Sequence, residues 1–260
     1  MNAWILGGLG TDVAVVLMFF VWIICKRLNN AGFVDVAWSY GFAIVVWIFY
    51  ALGPGLPLRK LLIAVMVTLW SIRLGTHLLI RVKKHHPVED SRYAALRIKF
   101  PNRPWFMFFA FFQMQAVLIG ILSAPFAVIC ANRASSLTGW EMAGLILWVL
   151  AFCGEALSDH QLKSFASDPS NKGKVCRVGL WKYSRHPNYF FEWLIWVAWF
   201  VFAVGSPWGW VTFFSPLLML HFLTKVTGIP PAEAHSLEAR GEAYREYQRT
   251  TSAFIPWFPK

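Results

Sequence analysis

Seven apolar runs of roughly twenty residues, parted by short breaks rich in Gly, Pro or charge, constrain this chain more than any other feature. They cover residues 4–25, 33–52, 61–80, 105–130, 140–157, 189–204 and 208–223. An α-helix rises 1.5 Å per residue, so about twenty residues cross the roughly 30 Å hydrocarbon core of a bilayer. The expected fold is therefore all-α: a polytopic membrane protein with seven transmembrane helices. Only 14% of the 260 residues are charged and 57% are hydrophobic, whereas a soluble domain carries about a quarter charged residues. The polar segments between spans are too short to hold a core of their own, so residues 1–260 read as one integral membrane domain. The first run lacks a basic leader and a small-residue cleavage site and ends at Lys26 and Arg27, which makes it a retained span and not a signal peptide.

Orientation follows from the cations. Twenty of the 24 Lys and Arg residues fall after spans 1, 3, 5 and 7, three after spans 2, 4 and 6, and Arg73 lies within span 3. The positive-inside rule then places the N-terminus outside and the C-terminus in the cytoplasm. Topology accounts for the net charge of +11 without nucleic-acid binding, and Lys26, Arg27, Lys83, Lys99, Lys172 and Lys174 are assigned to it. The four cysteines form no CxxC pair, so neither a disulfide framework nor a zinc site is expected, and no metal is assigned. No internal repeat of the transporter kind is present. The connections 81–104 and 158–188 are where a soluble ligand would be gripped.

A charge at mid-bilayer costs about 2.5–3.5 kcal/mol on insertion scales, so intramembrane polar residues need a partner, a wet cavity or a role. Here they recur at helical spacing. Arg73, His77 and Arg81 share a face of span 3, with Trp70 one turn earlier. Glu155, Asp159 and Lys163 do so in span 5, Asn188 and Glu192 in span 6. Asp35 and Ser39 open span 2 beside Trp38 and Tyr40. All of these stripes lie at the inner ends of their spans, and Arg73 is about 12 Å below Arg81, so the pattern predicts a polar cleft reaching from the cytoplasm to the midplane. Set against this, Arg81, Lys163 and Lys225 are placed to snorkel, Arg73 with Glu155 or Glu192 also reads as a buried structural pair, and Glu141 and Asp12 read as solvated outer residues. A cleft holding Arg73, Arg81, Arg92, Arg177 and Arg185, with His77 and His186, suits an anion with several phosphates. Asp90, Asp159 and Glu192 would orient its hydroxyls or carboxamide. Without GxGxxG or GxxxxGK[ST], such a nucleotide site is all-helical.

The run GLWKYSRHPNYFFE at 179–192, VDVAW at 34–38, EDSRY at 89–93 and GEAYREY at 241–247 before Phe254-Ile-Pro256 together resemble the membrane steroid 5α-reductase superfamily, specifically its bacterial DUF1295 branch. The match covers nearly the whole chain. Arg-His-Pro-x-Tyr followed by Glu also resembles isoprenylcysteine carboxyl methyltransferases and sterol C14 reductases, while Glu-Asp-x-Arg-Tyr and Asp-x-x-Trp resemble the reductases. The resemblance implies NADPH-dependent reduction of a conjugated carbon–carbon double bond, with a 3-oxo-Δ4 steroid or similar lipophilic enone entering from the bilayer among the membrane lipids. In a bacterium the location would be the inner membrane. It also implies substrate-side helices over about residues 1–80 and cofactor-side helices and loops over about 81–260.

Carried over by position, Asp159, Arg177, Asn188 and Glu192 match family residues that hold the nucleotide, and Arg92, Tyr93, Tyr244 and Tyr247 join them from the motif segments. Arg73, His77, Arg81, Asp90, Lys163, Tyr183, Arg185, His186 and Tyr189 complete the candidate cofactor set. Animal members grip the substrate carbonyl with a Glu and a Tyr in the early helices; here Asp35 is the nearest acid and Trp70 stands where the Tyr aligns. Hydride delivery to an enone builds negative charge on the carbonyl oxygen, so a donor there lowers the barrier. Asp35, held protonated in an apolar setting, or Tyr40 would be that donor, with Trp38 and Ser39 shaping the pocket. Two other readings stand beside this one: an S-adenosylmethionine-dependent methyltransferase, whose cationic cofactor five arginines would repel, and a non-enzymatic lipid or ion carrier.

Overall fold

The computed structural model describes residues 1–260 and consists of helices and their connections, with no strand. Eleven α-helices run in order: α1 (Ala3–Leu28), α2 (Phe33–Leu52), α3 (Pro57–His85), α4 (Ser91–Lys99), α5 (Pro104–Leu122), α6 (Ala124–Ala131), α7 (Gly139–Ser167), α8 (Pro187–Val204), α9 (Phe214–His221), α10 (Ile229–Arg240) and α11 (Glu242–Thr250). Seven helical stretches are long and apolar enough to cross a membrane, as the hydropathy pattern requires. The protein is a multi-pass integral membrane protein.

Two expected spans are not single α-helices. The fourth breaks at Ser123, because Pro125 has no N–H to return to the previous turn, and it continues as α6. The seventh begins as a 3₁₀ turn (Gly209–Phe213), becomes α9, and loosens into a π-turn (Phe222–Val226) closed by Thr227 N–H donating to Phe222 O at 2.8 Å. Pro230 and Pro231 open α10 directly afterwards, and the residue before a proline resists helical φ/ψ. Spans three and five instead run long, to His85 and Ser167, which carries Arg81 and Lys163 on the same helices as Arg73 and Glu155.

The chain forms two compact units: residues 1–137 with 206–209, and residues 138–205 with 210–260. Packing thus groups residues 81–137 with the first spans, while the partition expected near residue 80 was one of roles. In the first unit, α2 lies on α3, where Gly75 leaves room for the Tyr40 ring, and α1 lies on α2, where Gly10 meets Phe49 and Val45. Trp70, Phe42, Phe49, Phe108 and Phe112 fill its core. Arg59, fully buried, donates to the carbonyls of Asn132, Ala134 and Ser136 at 2.5–3.1 Å, and Lys60 donates to those of Tyr50 and Gly53. The pair after span 2 therefore clamps helix ends. In the second unit, α7 lies on α8 with Gly144 against the Phe202 backbone, and Trp196, Trp199 and Phe202 are buried between. Glu141, expected to be solvated, is 1% exposed: its carboxylate accepts the Thr138 N–H at 2.6 Å and closes the capping box that starts α7.

Candidate functional site

The first unit collects its charges where α2, α3 and α4 meet. Three carboxylates and three guanidinium groups pair there. Asp90 caps α4, taking the Arg92 N–H at 3.0 Å and Arg92 Nε at 2.9 Å, and it also pairs with Arg81. Arg92 Nη2 reaches across to Asp35 Oδ2 at 2.8 Å, while the Tyr93 hydroxyl donates to Asp35 Oδ1 at 2.6 Å. Glu89 accepts Arg97 Nε at 2.6 Å and the Ala31 N–H at 2.6 Å, tying this connection to the start of α2. Burial works against the Asp90 carboxylate, yet the Arg92 hydrogen bonds and the Arg92 and Arg81 charges hold it down at about 2. Burial and then the Asp35 charge push the Tyr93 hydroxyl up, so it stays protonated. Among the cations assigned to phosphate, Arg81 and Arg92 thus already have carboxylate partners; Arg73 is half-buried on α3 and His77 is exposed.

Asp35 does not sit in the apolar setting expected of a protonated acid. Both of its oxygens are acceptors, one of them to a guanidinium. The Tyr40 hydroxyl shares a 2.9 Å hydrogen bond with Thr76. Trp38 is different. Its ring packs edge-on against Phe42 at 4.8 Å and Trp70 at 6.4 Å, and its indole Nε1 is a buried donor with no partner.

The second unit holds a cavity of about 420 Å³ walled by α7, α8, α10, α11 and the connection between α7 and α8. Arg185, His186, Asn188, Tyr189, Tyr244 and Tyr247, all expected at a nucleotide, line it. Arg185 and His186 are nonetheless turned onto protein: Arg185 Nε donates to Glu233 at 2.7 Å and Nη1 to the carbonyls of Gln248 and Thr251, and His186 Nε2 meets Glu233 at 3.2 Å. That leaves His186 as a flat wall, stacked on Tyr189 at 5.4 Å and 7°. Asn188 Oδ1 is buried and accepts nothing. Burial and then the Glu233 charge raise Tyr244, and burial raises Tyr247 and the Cys176 thiol, so the cavity wall holds neutral hydroxyls and an unreactive thiol.

Of the remaining candidates, Arg177 lines a different cavity, Tyr183 packs on Phe258, Lys163 is exposed, and Asp159 is half-buried on α7. Glu192 is buried and accepts Trp196 Nε1 at 2.9 Å.

The family described as Protein of unknown function (DUF1295) matches residues 21–251. The chain belongs to the DUF1295 family. It is 25% identical over 277 residues to uncharacterized protein C594.04c of Schizosaccharomyces pombe, a similarity that covers 95% of this chain and 78% of that protein. No solved structure matches.

In this DUF1295 chain the cavity is also lined by residues that the sequence reading left out. Lys172 and Lys174, assigned to topology, stand on its rim, and His235, Ser236 and Arg240 come from α10. A signal for the last group existed: Ala232, Ser236 and Arg240 recur every four residues, one face of a polar helix, and Glu233 sits beside them.

Proposed function

We propose that this protein reduces the conjugated carbon–carbon double bond of a lipophilic enone, of which a 3-oxo-Δ4 steroid is the type, using NADPH. One observation carries the reading: Asn188, whose buried Oδ1 has no hydrogen-bond donor, lines a cavity that also presents Lys172, Lys174 and Arg240, flat aromatic walls and neutral hydroxyls. A buried amide oxygen without a donor loses about 1–3 kcal/mol, so it marks a place for a ligand N–H. The donor set fits a dinucleotide, which brings amide N–H groups, phosphates and planar rings, and the volume lies within the range of small-molecule sites.

When bound, the nicotinamide supplies the hydride. Asn188 would hold its carboxamide, and Lys172, Lys174 and Arg240 would offset about four negative charges. Tyr244, kept protonated by burial, would donate to a ligand oxygen. The lipid-facing spans would give a lipophilic substrate its route, and an orientation with the C-terminus in the cytoplasm would put the basic connections beside the nucleotide pool.

The test is ligand-dependent melting of the detergent-solubilised protein. NADPH should raise the melting temperature and S-adenosylmethionine should not. Asn188→Ala should weaken NADPH about tenfold, the effect of about 1.4 kcal/mol. Stabilisation by S-adenosylmethionine alone would replace this reading with methyl transfer, and flux of a labelled lipid through proteoliposomes without either cofactor would replace it with a carrier.

A further inference from the structure

A second cavity of about 310 Å³ opens beside Tyr247, and we propose that it is a headgroup site for an anionic phospholipid. Arg177, Lys182, Lys260, Thr250 and Thr251 line it, with Tyr247 as its wall. The Tyr247 hydroxyl is directed away, onto the carbonyls of Trp181 and Ser184, so the ring is what faces Arg177, whose guanidinium lies 5.2 Å from its centroid. Lys182 lies over the Tyr183 ring at 5.9 Å. Against these three cations the side chains offer the carboxylate of Glu246, 3.9 Å from Arg177, with both groups largely exposed. Such a pair binds weakly and leaves the guanidinium available to a phosphate.

The level of the cavity relative to the bilayer follows from the segment 251–260. Phe254 packs on Phe190 at 5.7 Å and Trp193 at 5.8 Å, in the first turns of the apolar helix α8. Ser184 Oγ donates to the Phe254 carbonyl and the Trp257 N–H donates to that of Tyr183, at 2.8 and 2.9 Å. The segment is thereby strapped across the end of α8, where hydrocarbon gives way to headgroups. Just beyond, Trp257 and Phe258 lie outside every span yet are 69% and 76% exposed. Aromatic rings with neighbouring lysines are the side chains that settle at the headgroup level. A free phosphate would use the cations and leave those rings in water. A phosphodiester with acyl chains uses both. The proposal is independent of the nucleotide reading, because apart from Tyr247 the two cavities share no lining residue.

Native mass spectrometry of protein released from nanodiscs tests it, with phosphatidylglycerol or phosphatidylcholine as the probe. The wild type should retain phosphatidylglycerol preferentially. The Lys182→Gln/Lys260→Gln variant should retain it about twenty-five-fold less, each lysine near an anionic surface contributing about fivefold. Its NADPH-dependent melting shift should be unchanged, which separates this result from failure of the reductase reading. Trp257→Ala, which keeps every cation, should also lower retention and covers the case in which the double variant does not fold. Equal retention of the two lipids, or undiminished retention by Trp257→Ala and by a folded lysine variant, would overturn the proposal. Displacement of the lipid by millimolar inorganic phosphate or glycerol 3-phosphate would do so as well, by assigning the site to a soluble anion.

Discussion

Replacing Glu233 with alanine should unlock the wall of the larger cavity. Its carboxylate takes Arg185 Nε at 2.7 Å, His186 Nε2 at 3.2 Å and Gln248 Nε2 at 2.8 Å, and the Arg185 and Glu233 side chains are 10% and 16% exposed. Removing one member of a buried ion pair costs about 3–5 kcal/mol, chiefly because the remaining charge stays desolvated. Arg185 keeps the carbonyls of Gln248 and Thr251, so the lower end applies, about 3 kcal/mol. At about 2–4 °C per kcal/mol for a chain of this size, the melting temperature should fall by about 6–12 °C. Tryptophan fluorescence on heating in detergent reads this, at one pH and one protein concentration. Glu233→Gln, which retains volume and an acceptor oxygen, should lose less. In the cycle with Arg185→Met, the two substitutions should be non-additive by more than about 1 kcal/mol. A drop below about 2 °C for Glu233→Ala, or simple additivity in the cycle, would refute the argument that this carboxylate holds the arginine.

Two further outcomes follow from other parts of the molecule. Asp90 is depressed from an ordinary value of 3.8 to about 2 in the folded protein, so the stability it contributes is complete above about pH 4 and lost as pH falls toward 2. Pepsin should therefore cut the connection 86–100 much faster at pH 2 than at pH 4, and Asp90→Asn should be cut fast at both; equal rates in the wild type would disprove the coupling. At Gly144 an added Cβ would stand 2.6 Å from the Phe202 backbone nitrogen, a contact that no side-chain motion relieves, so Gly144→Val should cost about 1–3 kcal/mol or more through separation of α7 from α8. A melting temperature equal to the wild type's would contradict the packing described for that pair.

The partners in the candidate sites were less legible than the spans. The apolar sequence neighbours of Asp35 suggest a protonated acid, whereas its partners Arg92 and Tyr93 are 57 and 58 positions away. Arg185 and His186 suit phosphate by residue type, and Glu233, 48 and 47 positions on, takes them instead. Lys172 and Lys174 look like topology charges in sequence and line the cavity in the fold. Periodicity within one helix reports which residues share a face, and it holds no information on which face of another element that one meets.

What the amino-acid order determined alone is the all-helical membrane architecture, the seven spans and the DUF1295 kinship. Bilayer thickness and the need to satisfy every backbone amide leave a twenty-residue apolar run a single solution, so local composition suffices. Only the tertiary structure decided which polar groups neutralise one another and which, like Asn188 Oδ1 and Trp38 Nε1, are buried without a hydrogen-bond partner. The energy of a charge or a hydrogen bond depends on what lies within a few ångströms, and that is set by folding and not by distance along the chain.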